Sequence, residues 1–275
     1  MWSRRWLIGT ITGVTAAAAT AGLLVWTMGT PVAAHGRLRA IRAVPVERGR
    51  TSTGTTPAVR TGATPAVRTG TTPAVSAGAT LLAALRGTAG RYASPGGART
   101  GWIPGKWYGA QSVLPVIGSS PGWVRVRLAQ RPNGSTAWVP DSEVELRSTP
   151  YRIVVDLAAR RLSLYSDDKQ VFSAPAGIGT VSDPTPAGQY FVAFFEAPPT
   201  AAYGAFVIVT SAHSEAISDW EETGDALIGI HGPLGGDYLI GENGARISHG
   251  CIRLPEADLL RLRMVFPGTP ISISG

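Results

Sequence analysis

The chain has 275 residues, enough for one or two domains, and 44% of them are hydrophobic, which excludes a wholly disordered protein. The 34 glycines and 21 prolines favour turns and short strands over long helices, and the single cysteine excludes an internal disulfide. The net charge of +7 favours anionic partners such as acidic wall polymers, but the basic residues are scattered and no nucleic-acid motif accompanies them. We therefore expect no nucleic-acid partner.

Residues 1–34 are predicted to be an export signal or a membrane anchor. Arg4 and Arg5 precede an uncharged run over residues 6–28, and Val32 and Ala34 have the spacing of a small-residue cleavage site. If it stays uncleaved, the run is long enough for a single membrane anchor with the rest of the chain outside. "SRRWLI" also resembles a twin-arginine signal, although an ordinary basic segment is our preferred interpretation. Each alternative predicts an extracytoplasmic protein of the cell envelope, membrane-anchored or secreted into the wall.

Residues 35–80 are predicted to be a linker. Residues 53–76 repeat an octapeptide, "TGTTPAVR TGATPAVR TGTTPAVS", and residues 51–80 contain neither aromatic nor acidic side chains. Eight residues are too few for a solenoid unit, and such a segment buries too little apolar area to fold. The linker is either a spacer from the membrane into the wall, with threonines open to O-glycosylation, or a passive connection.

Residues 81–148 are predicted to form a small β-barrel of about five strands. "WVRVRL" at 123–128 alternates as a half-buried strand does, and Asn133-Gly134 is a strong hairpin-turn signal. The segment resembles the bacterial Src-homology-like barrels that precede wall enzymes. Its aromatic side chains either line a ligand groove or belong to the core and rim of the barrel. They are Trp102, Trp107, Tyr108, Trp123 and Trp138.

Residues 149–275 are predicted to be a second, mixed but β-rich domain with one late helix. Several short apolar segments indicate strands, and Pro255 followed by Glu256 and Asp258 indicates the start of a helix. We expect its buried side to comprise Leu259, Leu260 and Met264. The predicted fold class is therefore mainly β, with a small β-barrel module followed by a mixed, β-rich domain with one late helix.

Cys251 is the residue in this domain with the most distinctive surroundings. His249 lies two residues earlier, on the same face if the segment is an extended strand, while His231 ends a different apolar strand. A thiol nucleophile needs a base and main-chain donors for an oxyanion, and Gly250 permits close approach. The alternatives are a small buried side chain or a zinc ligand together with the two histidines. No further carboxylate or thiol lies at ligand spacing, so we expect no metal.

Three other residues are candidates for the edge of the cleft. Trp220 and Tyr238 are aromatic side chains near the histidines in sequence. His213 has polar neighbours, and we expect it on a surface loop.

A resemblance adds to this interpretation. "HG" at 231–232, followed after sixteen residues by "SHGCIRL" at 248–254, closely resembles the signature of the L,D-transpeptidases, which cross-link bacterial peptidoglycan. "IVVDLAARRLSLY" at 153–165 and "PTPAGQYFV" at 184–192 are also similar to segments of that family. The resemblance covers residues 151–275. Papain-like wall endopeptidases place cysteine before histidine, and sortases place the two much farther apart.

The resemblance implies a site without a cofactor. Cys251 is the implied nucleophile, and His231 is the implied base, oriented by the carbonyl of Gly232. Arg253 either holds a substrate carboxylate or supports the loop. The residues implied for the oxyanion hole and substrate binding are His249, Gly250, Ser248 and Arg253, together with the N–H of Cys251.

The implied reaction is acyl transfer between peptidoglycan stem peptides. The thiol releases D-alanine from a donor tetrapeptide, and an acceptor amine resolves the thioester, which serves cell-wall organisation and cell shape. Members of the family are typically inactivated by carbapenems. The alternatives are an L,D-carboxypeptidase, another wall thiol acyltransferase or endopeptidase, and a non-catalytic scaffold that binds the wall polymer through its basic surface or barrel.

Overall fold

The computed structural model describes residues 77–220 and 222–275. The predicted export signal or anchor, the octapeptide repeat and nearly all of the predicted linker lie outside these residues. Among the helices of the described part, none combines the length and the apolar character that crossing a bilayer demands.

The described residues are built mainly from short strands. The first module contains β1 Thr80–Leu85, β2 Ala89–Tyr92, β3 Arg99–Ile103, β4 Lys106–Trp107, β5 Ala110–Gln111, β6 Val113–Ser120, β7 Trp123–Arg127, β8 Thr136–Pro140 and β9 Val144–Thr149. The second contains β10 Tyr151–Asp156, β11 Arg161–Ser166, β12 Lys169–Pro175, β13 Gly177–Gly179, β14 Gly188–Glu196, β15 Val207–His213, β16 Leu227–His231, α1 Asp237–Ile240, β17 Ala245–Ser248, β18 Ile252–Arg253, α2 Glu256–Leu259 and β19 Pro270–Ser274. The 3₁₀ turns are Asp141–Glu143, Ala201–Tyr203 and Leu260–Met264.

The first module is a seven-stranded antiparallel sheet in the order β3-β2-β8-β7-β6-β1-β9, with β4 and β5 as a separate ribbon. Strand β7 has the predicted alternation, because Val124 and Val126 are buried while Arg125 is exposed. The sheet has more strands than the five predicted. One reason is β1, whose last four residues are all buried and therefore show no alternation in the sequence.

Strands β7 and β8 form the predicted hairpin, but the connection between them is longer than the Asn133-Gly134 pair alone. The two strands pair from Trp123 opposite Pro140 to Arg127 opposite Thr136, so the connection is longer than a two-residue turn. The Asn133 amide bonds the main chain of His213 in the second module. Asn133 and Gly134 still form the predicted turn within this longer connection, because the Ser135 N–H donates to the Pro132 carbonyl at 3.3 Å and Gly134 has a φ of +80°.

The second module is a ten-stranded sheet in the order β12-β11-β10-β19-β14-β15-β16-β18-β13-β17. Most neighbours are antiparallel, but β16 and β18 are parallel, with His231 opposite Arg253. The core of this module contains apolar side chains from both ends of the sheet, including Ile153, Ile230 and Ile252. The strand carrying the candidate base and the strand following the candidate nucleophile are thus direct neighbours.

The late helix is shorter than predicted. Helix α2 ends at Leu259, and the chain continues as a 3₁₀ turn to Met264. A 3₁₀ helix has three residues per turn, so the buried side chains recur every third residue at Leu259, Leu262 and Val265. The expectation that Leu260 and Met264 are buried is wrong, since they are 36% and 44% exposed.

The two modules pack against each other through apolar side chains. Phe191 of β14 is buried in the core of the first module. On the other face of β1, a Cβ atom at Gly268 would lie 2.8 Å from Val113 and 3.0 Å from Leu82. Gly268 also has a φ of +91°, so a side chain there is excluded by both conformation and space.

Candidate active site

His231 lies at the end of β16, a strand whose residues are all buried. Its Nδ1 atom is 2.7 Å from the carbonyl oxygen of Gly232. Because a carbonyl can only accept, Nδ1 carries the hydrogen and Nε2 keeps a free lone pair. The tautomer of the ring is therefore the one that can accept a proton at Nε2.

The surroundings of His231 keep the ring neutral. Burial lowers its pKa from 6.5 to about 4, the bond to Gly232 opposes this shift, and the charge of Arg253 adds to it. The ring of Tyr203 packs at 4.7 Å between centroids. A neutral imidazole is a base ready to take a proton at physiological pH.

Gly232 is required by close backbone packing beside this ring. Its N–H donates to the carbonyl of Tyr203 over 2.7 Å. A Cβ atom at this position would lie 2.7 Å from the nitrogen of Gly204, too close for any other residue without a shift of the main chain. The carbonyl that orients His231 is thereby held in place.

Cys251 lies in a tight loop between β17 and β18. The Ser248 hydroxyl donates to the Cys251 carbonyl at 2.5 Å and accepts the Gly250 N–H at 3.2 Å. Gly250 has a φ of +113°, and a Cβ atom there would lie 2.8 Å from Ile228. The loop therefore depends on a glycine for its own packing.

The structure of this loop differs from two expectations drawn from the sequence. His249 is exposed and Cys251 is half-buried, because the turn at Gly250 breaks the extended segment that would have placed them on one face. The Gly250 N–H, expected as an oxyanion donor, is instead bonded to Ser248. Ser248 itself is buried and shapes the loop rather than facing the cleft.

Thr185 supports the nucleophile loop from below and was not singled out by the sequence. Its buried hydroxyl donates to the Gly250 carbonyl at 2.7 Å and accepts the Gly179 N–H at 2.9 Å. The only sequence signal was its place in the family-like segment at 184–192. Its role depends on tertiary contact and not on local pattern.

The Cys251 sulfur receives a main-chain hydrogen bond. Gly229 N–H donates to Sγ over 3.4 Å. Burial raises the pKa of the thiol, while this bond and the charge of Arg253 act in the opposite direction. The resting pair is therefore a neutral thiol and a neutral imidazole, with a donor already aimed at the developing negative charge.

His231 and Cys251 line one pocket. Tyr203, Glu196 and Gly229 are also part of its wall. Arg253 lies opposite His231 in the ladder, and its Nε has no hydrogen-bond partner among residues 77–220 and 222–275. Within those same ranges, no three His, Cys, Asp or Glu side chains are grouped as metal ligands.

The three residues predicted at the edge of the cleft, His213, Trp220 and Tyr238, lie in different surroundings. His213 ends β15 and is 2% exposed, with Nδ1 2.8 Å from Asp225, so the prediction of a surface loop is wrong. The Trp220 ring packs 5.3 Å from that of His249. Tyr238 is 80% exposed on α1 and is not part of the pocket wall.

The aromatic side chains of the first module do not share one groove. Trp107 packs edge-on against Phe194 of the second module, at 5.8 Å. Trp123 and Trp138 are half-buried on the sheet, and Trp102 is exposed beneath the Arg99 guanidinium. Tyr108 is half-exposed beside Trp107.

Comparison with known proteins identifies the second module. Residues 150–273 match the model of the YkuD family, described as the L,D-transpeptidase catalytic domain. This part of the chain is thus similar to the L,D-transpeptidase catalytic domains of the YkuD family. The predicted resemblance of this module to the L,D-transpeptidases is thereby confirmed, and the strands of the structure confirm the mainly β fold class.

Curated YkuD relatives come from two bacilli. The YkuD protein of Bacillus licheniformis is 31% identical over 126 residues, and that of Bacillus subtilis is 25% identical over 126 residues. Each alignment covers 46% of this chain and 66% of the relative. The chain therefore spans slightly less than two thirds of the length of these YkuD proteins.

Solved L,D-transpeptidases are also similar to this chain. The enzyme from Mycobacterium smegmatis is 20% identical, with a TM-score of 0.37, over 58% of this chain and 80% of that one. The catalytic domain from E. faecium is 24% identical, with a TM-score of 0.33, over 45% of this chain and 96% of that one. We base the family on the sequence matches.

Proposed function

We propose that this protein is an L,D-transpeptidase that cross-links peptidoglycan stem peptides through a thioester on Cys251. The observation that carries the proposal is the shared pocket of Cys251 and a neutral, correctly protonated His231, within a domain similar to those of the YkuD family. His231 ends β16, and Cys251 immediately precedes the neighbouring strand β18.

Acylation begins with a neutral pair. The Cys251 sulfur attacks the carbonyl between the third stem residue and the terminal D-alanine, while His231 Nε2 accepts the thiol proton. Gly229 N–H stabilises the negative charge that develops on sulfur. The oxyanion is held by the main-chain N–H groups of His249 and Cys251. As the C–N bond breaks, His231 returns the proton to the leaving D-alanine amine, which leaves a thioester.

The second half of the reaction consumes the thioester. The side-chain amine of a diamino acid in a neighbouring stem attacks the carbonyl, and His231 removes a proton from that amine. The C–S bond breaks, the proton returns to sulfur, and an amide joins the two third residues. Water in place of the amine would give a carboxypeptidase at the same site.

The surroundings of the site suggest its substrate contacts. The half-buried Arg253 lies opposite His231 in the ladder, and its planar guanidinium is suited to pair with a stem-peptide carboxylate. The acidic and carbohydrate polymers of the wall are suitable partners for a chain of net charge +7. We propose the cell envelope as its location, by anchor or by secretion, and acylation of Cys251 by carbapenems.

The deciding experiment is incubation with a disaccharide-tetrapeptide and analysis by mass spectrometry. A dimer with release of D-alanine supports the proposal, and a shortened stem with no dimer supports the carboxypeptidase. Binding without turnover indicates a scaffold. Cys251→Ala should abolish both products and prevent the mass gain expected with a carbapenem, whereas Ser182→Ala, an exposed control, should leave them unchanged.

A further inference from the structure

The connection between β15 and β16 reaches the nucleophile loop. The structure describes its residues 214–220 and 222–226, and the Trp220 ring packs 5.3 Å from the exposed ring of His249, two residues before Cys251. Trp220 N–H donates to the Asp225 carbonyl at 3.0 Å. The Thr223 hydroxyl lies 2.8 Å from the Trp220 carbonyl and 2.7 Å from that of Asp225. Trp220 is thus tied to the base of the connection.

The base of the connection is held by an arginine of the first module. Arg131 Nε is 2.8 Å from the Asp225 carboxylate, Nη1 donates to the Ser214 carbonyl at 2.8 Å, and Nη2 donates to the Ile217 carbonyl at 3.1 Å. One guanidinium therefore joins both ends of the connection. A planar fork of donors can hold three acceptors in this way, which a lysine cannot.

Asn133 adds a second attachment from the same loop of the first module. Its Nδ2 donates to the His213 carbonyl at 2.8 Å, and its Oδ1 accepts the His213 N–H at 2.9 Å. The amide thus pairs with the last residue of β15 as a neighbouring strand would. Asp225 completes the arrangement, because its other oxygen lies 2.8 Å from His213 Nδ1.

We infer that Arg131 and Asn133 are positioning residues for the acyl-transfer site, acting through Trp220. They fix the base of the β15–β16 connection, and so keep the Trp220 ring against His249 beside the nucleophile. The first module is then part of the construction of the active site. The catalytic consequence of this inference rests on the proposed function, but the placement of Trp220 does not.

The test is a double-mutant cycle between two residues that the structure does not place in contact. The variants are Arg131→Ala, Trp220→Ala and the double variant, with Arg125→Ala as the matched control. Arg125 is an exposed arginine of the same module, and its guanidinium bonds the Thr136 hydroxyl. We expect kcat/KM for cross-linking to fall about tenfold with Arg131→Ala and to change less than about twofold with Arg125→Ala.

The double variant gives the deciding result. If Arg131 acts through Trp220, the double variant should be no slower than Trp220→Ala alone, within about twofold. Losses that multiply in the double variant would overturn the inference, because Arg131 would then act by some other route. An Arg131→Ala enzyme as active as wild type would overturn it too.

A second readout is independent of enzymatic activity. Cys251 is the only thiol in the chain, so its alkylation by iodoacetamide reports access to the loop beside Trp220. We expect the alkylation rate to rise about threefold or more with Arg131→Ala and Asn133→Ala, but not with Arg125→Ala. Unchanged rates in both variants would refute the inference. A wild-type enzyme that forms no cross-link would refute the proposed function alone.

Folding is controlled with a milder substitution. Arg131→Lys keeps a positive charge near Asp225 but loses the paired donors to the two carbonyls, so we expect an intermediate alkylation rate. Circular dichroism in the near ultraviolet identifies which variants are folded. If Arg131→Ala does not fold, Arg131→Lys and Asn133→Ala decide the question, and wild-type alkylation rates in both would overturn the inference.

Discussion

Replacing His231 by asparagine isolates the titration of one buried ring. Burial lowers the pKa of His231 from 6.5 to about 4, so between these values the unfolded chain binds a proton that the folded chain excludes. Burial of the neutral ring therefore contributes its full stabilisation at pH values above the pKa that His231 has in the unfolded chain. It is lost as the pH falls towards the folded value, because protons then favour unfolding.

The size of the effect follows from this difference in pKa. At about 1.4 kcal/mol per pKa unit, the whole shift corresponds to roughly 3–4 kcal/mol, and the part between about pH 7.5 and pH 4.5 to roughly 2–3 kcal/mol. Asparagine keeps a donor for the Gly232 carbonyl but has no proton to gain in this range. The variant should therefore lose less stability than wild type on acidification.

The assay is urea unfolding followed by tryptophan fluorescence at several pH values. Subtracting the free energy of unfolding of His231→Asn from that of wild type removes the titration of groups that both proteins share. The difference should decrease by about 2–3 kcal/mol from about pH 7.5 to pH 4.5. Parallel curves over this range would show that the ring is not held neutral by burial, and the argument for a neutral base would fail.

Three further predictions concern the same site. The acid limb of kcat/KM for cross-linking should lie below about pH 5, because His231 stays neutral to about pH 4; a limb near pH 6.5 would contradict a neutral base. Gly250→Ala should destabilise the fold by about 1–3 kcal/mol in urea unfolding, because its φ of +113° and the Ile228 side chain oppose a Cβ; unchanged stability would contradict this packing. Thr185→Val should cost about 1–3 kcal/mol and slow cross-linking, whereas Thr185→Ser keeps both hydrogen bonds and should remain near wild type; a Thr185→Val protein as stable as wild type would contradict the role of the hydroxyl.

The central pair of the candidate site could be predicted because its signals are local. His231 ends an apolar strand and Cys251 follows a glycine, and both patterns are visible in a few consecutive residues. Their convergence depends on one further fact, the parallel pairing of β16 and β18. The residue pattern alone did not show that His231 and Cys251 meet, and the resemblance to the L,D-transpeptidases provided that expectation.

Other features depend on contacts between distant segments and could not be predicted. Polar neighbours suggested an exposed His213, but Asp225 and the ring of Trp107 cover it in the folded chain. Asn133 carried a local turn signal, yet its amide serves a contact with the other module. The hydroxyl of Thr185 acquires its role only when β13 and the nucleophile loop meet.

The parallel pairing of β16 and β18 fixes the spacing of His231 and Arg253, but it does not fix the length of the chain that connects the two strands. Because the ladder fixes His231 against Arg253, the excursion between these strands need only return to the same place. That excursion includes α1, where Tyr238 and Leu239 face solvent. A fluorescent label attached to this outer bend should therefore leave the spacing of His231 and Arg253 unchanged.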